Sequence, residues 1–70
     1  MRYYSTQRPV MPGSFPKPWG NMVVEIVNFD DKTFVEAIGR EAWGYIEYDM
    51  PLNPELAEDY ELVADRNTNK

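Results

Sequence analysis

The segment DDKTFVEAIGREA, residues 30–42, decides the fold, because it fits either a helix or the turn region of a β-hairpin. As a helix, it would begin at a capping aspartate and place its apolar side chains on one stripe. As strands, residues 33–38 supply β-branched side chains, and Gly39 with Arg40 supplies a turn. Gly39 would cost a helix interior about 1 kcal/mol relative to alanine. Both structures stay open here, with a slight preference for the short strand and hairpin.

The segments on either side have clearer strand patterns. MVVEIVNF, residues 22–29, is predicted to be a strand, and both of its faces are largely apolar. We therefore expect a central strand that is covered on both sides. WGYIEYD, residues 43–49, alternates and predicts the next strand. RYYSTQR, residues 2–8, predicts another strand that ends at Pro9.

The C-terminal third indicates a helix and one further strand. Asn53, Pro54 and Glu55 are typical of a helix start, which predicts a helix over residues 53–60. YELVA, residues 60–64, is expected to form an edge strand, and the polar residues 65–70 are expected to fray. The sequence thus predicts one small α+β domain over residues 1–64. It would be an antiparallel sheet of three to five strands with one or two short helices packed on one face.

Residues 9–20, PVMPGSFPKPWG, place four prolines and two glycines among apolar side chains. A ligand for a proline-reading domain is disfavoured, because the PxxP spacing lacks its flanking basic residue. A nucleic-acid-binding arm is a second interpretation. The favoured one is an ordered strap that folds over the sheet and adds Phe15 and Trp19 to the core. A chain of 70 residues without cysteine can form only a small core, so it needs these rings inside.

Charge divides the chain into two unequal parts. Residues 1–20 contain three basic residues and no acid, which gives +3, whereas residues 21–70 contain twelve acids and four bases, which gives −8. The acidic part disfavours a phosphate-binding face there. A local basic arm would still suit single-stranded nucleic acid, and this alternative uses Arg2, Arg8, Lys17 and Trp19.

The residue types that most catalysis needs are missing. Without histidine or cysteine, the chain lacks the commonest general base, thiolate nucleophiles and most transition-metal ligands. NFDDKT, residues 28–33, lacks the ligand spacing of a calcium loop. We therefore expect that the protein is not an enzyme and binds neither a cofactor nor a metal ion. With no secretory signal and no long apolar run, we also expect a cytoplasmic protein without a membrane partner.

Aromatic and arginine side chains of the kinds enriched at interfaces occur in the strap and in residues 40–49. The predicted protein-contact residues are Phe15, Trp19, Arg40, Trp43, Tyr45 and Tyr48. The plainer interpretation is that Trp43 and one tyrosine are core residues and that Arg40 pairs with a nearby acid. The leading hypothesis is a small, acidic, non-enzymatic accessory protein that acts through protein–protein interaction, with homodimerisation as one form of it.

Three strings carry a resemblance: RYYSTQRPVMPGSFPKP, NFDDKTFVEAIGREAWGYIEYD and YELV. Over residues 2–63 the chain resembles small proteins encoded on conjugative and other mobile elements of anaerobic gut bacteria. That family has no established activity, so no functional residue follows from it. The resemblance implies a bacterial accessory to element transfer or to evasion of host defence. It adds a third hypothesis, a DNA mimic that inhibits a defence enzyme, although the basic N-terminal third interrupts the anionic face that a mimic needs.

Overall fold

A four-stranded antiparallel sheet makes up most of the protein. The structure is a computed structural model, and it describes residues 1–65. Its elements are β1 (Arg2–Ser5), β2 (Val23–Val35), β3 (Arg40–Tyr48), α1 (Pro54–Asp59) and β4 (Leu62–Ala64). The strand order is β2-β3-β1-β4, and each neighbouring pair is antiparallel. The predicted small antiparallel sheet with a short helix is confirmed.

Residues 30–42 form a hairpin and not a helix. Strand β2 runs on to Val35, which pairs with Arg40 at the start of β3. The amides of Ile38 and Gly39 both donate to the Val35 carbonyl, at 3.2 and 2.9 Å. Gly39 has a φ of +70°, which glycine adopts without strain, so the favoured turn position is confirmed.

The expectation that residues 22–29 form a central strand is wrong. Strand β2 lies at one edge of the sheet, with β3 beside it, while β1 and β3 occupy the middle. The pairing of β2 with β3 is irregular between Val23 and Glu25 and again between Asn28 and Thr33. Apolar side chains on both faces of β2 therefore mark partly exposed surface, and Val24 is 63% exposed.

Both faces of the sheet carry apolar side chains. Tyr3 and Tyr4, which are adjacent in β1, point to opposite faces and enter different clusters. The larger cluster comprises Tyr3, Val10, Phe15, Ile46, Tyr48, Leu52, Ala57 and Leu62. The smaller one comprises Tyr4, Ile38 and Ala42. The core therefore lies around the two inner strands, with the strap and the helix on one side.

Helix α1 begins as its sequence signature predicts but packs only lightly. The Asn53 Oδ1 atom accepts a hydrogen bond from the Glu55 amide at 2.8 Å, and Pro54 occupies the first turn. Within the helix, Ala57 is the buried residue. The fold is accordingly mostly sheet.

The strap between β1 and β2 is half inside the core and half outside it. Val10 and Phe15 are buried. Trp19 is fully exposed, so the expectation that it joins the core is wrong. The reason is a turn: the Asn21 amide donates to the Pro18 carbonyl at 3.2 Å, and Gly20 has a φ of +92°. Trp19 stands at the second position of that turn, which carries its ring outward.

Two boundaries differ from the sequence prediction: the end of the first strand and the start of the polar tail. Strand β1 ends at Ser5 and not at residue 8, because the Ser5 hydroxyl turns the chain by donating to the Arg8 carbonyl. Asp65, the first residue of the predicted polar tail, is buried, and its amide donates to the Arg2 carbonyl at 2.8 Å. The remaining tail, residues 66–70, lies outside the described residues.

The described part of the chain contains no helix that is both long and apolar enough to cross a membrane.

Candidate docking surface

The predicted protein-contact residues do not form one surface. Phe15 and Tyr48 are buried, and the Tyr48 hydroxyl donates to the Pro16 carbonyl at 2.5 Å. Burial raises the pKa of Tyr48 to about 12, so it stays a neutral hydrogen-bond donor that holds the strap. Trp43 is half-buried. Arg40 is exposed, as is Trp19, which sits in the strap.

Two of the four residues of the predicted nucleic-acid arm are engaged within the fold. The Arg2 Nε atom donates to Glu47 Oε1 at 3.1 Å, and its guanidinium carbon lies 4.0 Å from the centre of the Tyr45 ring. Arg8 pairs with Glu61. Lys17 is exposed, with its ammonium 5.6 Å from the centre of the Phe15 ring. The positive charge of the N-terminal third is thus largely paired with acids of the other two thirds.

Glu47 joins the chain start to β3 and gives the fold an acid-sensitive contact. The N-terminal ammonium, 3.0 Å from Oε2, holds the pKa of Glu47 below its ordinary value; burial opposes this, and Arg2 adds to it. A carboxyl whose folded-state pKa is lowered stabilises the fold above its unfolded-state pKa, and this stabilisation is lost as the pH falls through the folded-state value.

We expect the free energy of unfolding to fall as the pH drops below about 4, partly through this group. Glu47→Gln should flatten that dependence in urea titrations at a series of pH values. Glu36→Gln, an exposed acid in the β2–β3 turn, is the control and should leave the slope unchanged. An equal slope in Glu47→Gln and the unaltered protein would contradict the assignment.

A patch of exposed apolar side chains lies where β2 begins, and we call it the β2-start surface. Its members are Trp19, Met22, Val24 and Met50, which are 101%, 67%, 63% and 54% exposed. Hydrogen bonds bring the two chain segments together: Asn21 Nδ2 donates to the Met50 carbonyl at 3.0 Å, and Met22 and Asp49 exchange bonds of 2.9 and 3.0 Å. Trp19 and Met22 line one surface pocket, and exposed apolar groups that lie together mark interaction sites more often than isolated ones do.

Sequence reasoning found one member of this surface, Trp19, and missed the rest. Met22 and Val24 were expected to be covered, because an edge strand and a central strand can carry the same apolar pattern. The turn signal at Gly20 and Asn21 could have placed the preceding tryptophan outside. No local signal brings Met50 to the same corner.

Exposed carboxylates form two further groups. One group lies toward the turn end of the hairpin and is mixed with Lys32 and Arg40; its acids are Asp30, Asp31, Glu36 and Glu41. The other lies on the helix and comprises Glu55, Glu58 and Asp59. Within residues 1–65, no three acids are arranged to hold a metal ion.

A groove of about 600 Å³ lies between helix α1 and strands β1 and β4. Its floor is apolar and includes Tyr3, Leu52 and Leu62, and acids such as Glu58 stand at its rim. The Tyr3 hydroxyl oxygen is already occupied, because it accepts the Leu52 amide at 2.7 Å. The floor of this groove is therefore suited to contact with apolar groups of a ligand or partner.

Comparison with known proteins gives one match. Searches of curated proteins and of solved structures found none. Residues 1–67, nearly the whole chain, match the family described as "Defence against restriction A C-terminal". The resemblance to mobile-element proteins is confirmed at that level, whereas the gut-bacterial and conjugative setting stays a prediction. The chain therefore belongs to the Defence against restriction A C-terminal family of mobile-element-associated proteins.

Proposed function

We propose that the domain is a non-enzymatic accessory protein in defence against restriction, and that it acts by docking on another protein in the bacterial cytoplasm. The family description supports the process. The β2-start surface supports the mode of action, and the single observation that carries it is the complete exposure of Trp19. Tryptophan is among the residues that contribute most to protein interfaces.

The strap presents Trp19 with little freedom left to lose on binding. Its backbone is held by the two prolines that precede it, Pro16 and Pro18, by the turn that ends at Asn21 and by the bond from Tyr48 to the Pro16 carbonyl. An anchor that is already positioned loses less conformational entropy when a partner covers it. Lys17 and Asp49 lie beside the apolar surface and supply a polar rim.

The test is protection of unmodified plasmid DNA in a host that carries a restriction enzyme. Trp19→Ser combined with Met22→Ser should lose most of the protection that the unaltered protein gives, while far-ultraviolet circular dichroism stays the same. Met11→Ser is the matched control, because Met11 is a strap methionine with 55% exposure outside the β2-start surface. Full protection by the double variant would overturn the proposal.

DNA mimicry is the second candidate, and one observation favours it. Arg2 and Arg8 pair with Glu47 and Glu61, so they offset those two acids and leave the exposed carboxylates of the hairpin and helix without a basic partner from the N-terminal segment. A mimic presents such carboxylates in place of phosphates. In the same assay, Glu36→Gln with Glu41→Gln would then abolish protection, and the Trp19 and Met22 variant would retain it.

The same ion pairs lower the support for a nucleic-acid-binding arm. A phosphate at Arg2 or Arg8 would lie beside the carboxylate of Glu47 or Glu61, whose charge opposes its binding. Single-stranded DNA binding that weakens with salt and with Arg8→Ala would restore that hypothesis.

A further inference from the structure

Strand β2 has an open edge over most of its length. Among residues 1–65, it pairs with β3 on one side and with no strand on the other. The amide and carbonyl groups along such an edge are a template for an added strand. Extended peptides bind many domains by joining a sheet in this way.

The usual protection of an edge strand is incomplete here. Lysine, proline and bulges normally block edge pairing. Strand β2 has two irregularities in its pairing with β3, and between them Glu25–Asn28 runs in continuous register. The single lysine of β2, Lys32, lies beyond this stretch. Ile26 exposes an apolar side chain within this stretch, at 43%, and Val24, at 63%, lies at the first irregularity just before it.

Charge decides which occupant fits. The exposed acids on β2 are Glu25, Asp30 and Asp31, against one lysine. A second copy of the chain would bring the same acids to the edge, and the net charge of −5 on each copy would add to the repulsion. A basic strand would be attracted instead, and apolar side chains on it would cover Val24 and Ile26.

We infer that the edge of β2 from Glu25 to Asn28 binds an extended segment of a partner protein as a fifth strand, and that this segment alternates apolar and basic residues. The inference deepens the proposed docking function and rests on it. Met22 and Val24 directly precede this edge in the chain, and Met22 lines one surface pocket with Trp19, so Trp19 would anchor the partner beyond the end of the added strand.

The test is an NMR titration of the isotope-labelled protein, at low ionic strength, with a short blocked peptide of alternating valine and lysine. We expect the largest amide shifts at Glu25–Asn28. A peptide with glutamate in place of lysine should bind at least about tenfold more weakly. The valine–lysine peptide with alternate backbone nitrogens methylated keeps its charge but loses strand hydrogen bonds, and it should also lose about tenfold in affinity.

Two protein variants locate the site. Val24→Lys places a cation at the start of this edge and should weaken binding of the valine–lysine peptide by about tenfold. Phe34→Lys is the matched control, because Phe34 is 58% exposed on the same strand beyond the second irregularity. It should leave affinity nearly unchanged.

Three results would overturn the inference: equal binding of the lysine and glutamate peptides, shifts that avoid β2, or full binding of the methylated peptide. Amide shifts of β2 that depend on protein concentration, with a dimer in light scattering, would assign the edge to a second copy and also overturn it. The plasmid assay is independent of these results. Protection that needs Trp19 and Met22 without peptide binding would reject the edge and retain the docking function.

Discussion

Replacing Ile46 with alanine is expected to lower the free energy of unfolding by about 2 to 5 kcal/mol. Ile46 has no exposed surface and lies at the centre of β3, paired with Tyr3 on one side and Ile26 on the other. Beside it, the rings of Tyr3 and Tyr48 meet edge to face at 5.9 Å. The two rings hold the surrounding structure in place, so the cavity left by the substitution would collapse only partly. Urea denaturation followed by tryptophan fluorescence measures the loss.

Ile26→Ala is the matched control, because the same atoms are removed from the cross-strand neighbour. Ile26 is 43% exposed at the edge of the sheet, so its removal creates no closed cavity. We expect a loss of less than about 1 kcal/mol. Comparable losses in the two variants would show that β2 is covered in solution, and the edge position of β2 would then be wrong.

Replacing Gly44 with alanine is the second large effect, at about 1 to 3 kcal/mol. A Cβ atom at this position would lie 2.3 Å from the Val27 carbonyl oxygen and 2.9 Å from Asn28 Oδ1. The first contact is with backbone, so strand β2 itself must shift. The second contact disturbs the side-chain amide of Asn28. Its Oδ1 atom accepts from the Val10 backbone amide at 2.7 Å, and its Nδ2 atom donates to the Val10 backbone carbonyl at 2.9 Å. The substitution should therefore also loosen the strap, visible as a shift of the Val10 amide resonance.

Gly13→Ala separates backbone strain from steric conflict. Gly13 has a φ of +87°, but a Cβ there would meet nothing within 4 Å. Its cost should come from the left-handed backbone alone, about 1 to 2 kcal/mol, and the Val10 resonance should stay in place. A Gly44→Ala protein with an unchanged Val10 resonance would contradict the close approach of β2 and β3.

Local signals predicted the elements whose cause is local. The helix start at Asn53 depends on a bond to an amide two residues away, and the turn at Gly39 depends on one residue with a positive φ. Both could be predicted from the sequence, because the residues that decide them are neighbours.

The arrangement of strands could not be predicted in the same way. An apolar pattern on both faces of residues 22–29 is compatible with a buried strand and with an edge that carries a contact surface. The choice depends on β1, which occupies the far side of β3 through pairs such as Tyr3 with Ile46. Pairing between residues so distant in sequence leaves no local trace.

The candidate surface was only partly predictable for the same reason. Trp19 was selected by residue type, but its expected burial followed from the small size of the core and overlooked the turn that presents it. The ion pairs of Arg2 and Arg8 join residues that are 45 and 53 positions apart. They lower the support for a nucleic-acid-binding arm and raise the support for DNA mimicry.

The strand order also determines the order in which the strand pairs can form during folding. Strand β1 is synthesised first but pairs with β3 and β4, so it has no partner until some forty to sixty further residues have followed it. The β2–β3 hairpin is the one strand pair of the described sheet with a short connection, and it would form before β1 inserts beside it. A topology dominated by such distant contacts folds slowly for its size. Until β1 pairs with β3, the hairpin has an unpaired edge on each of its two strands, and unpaired edges favour aggregation.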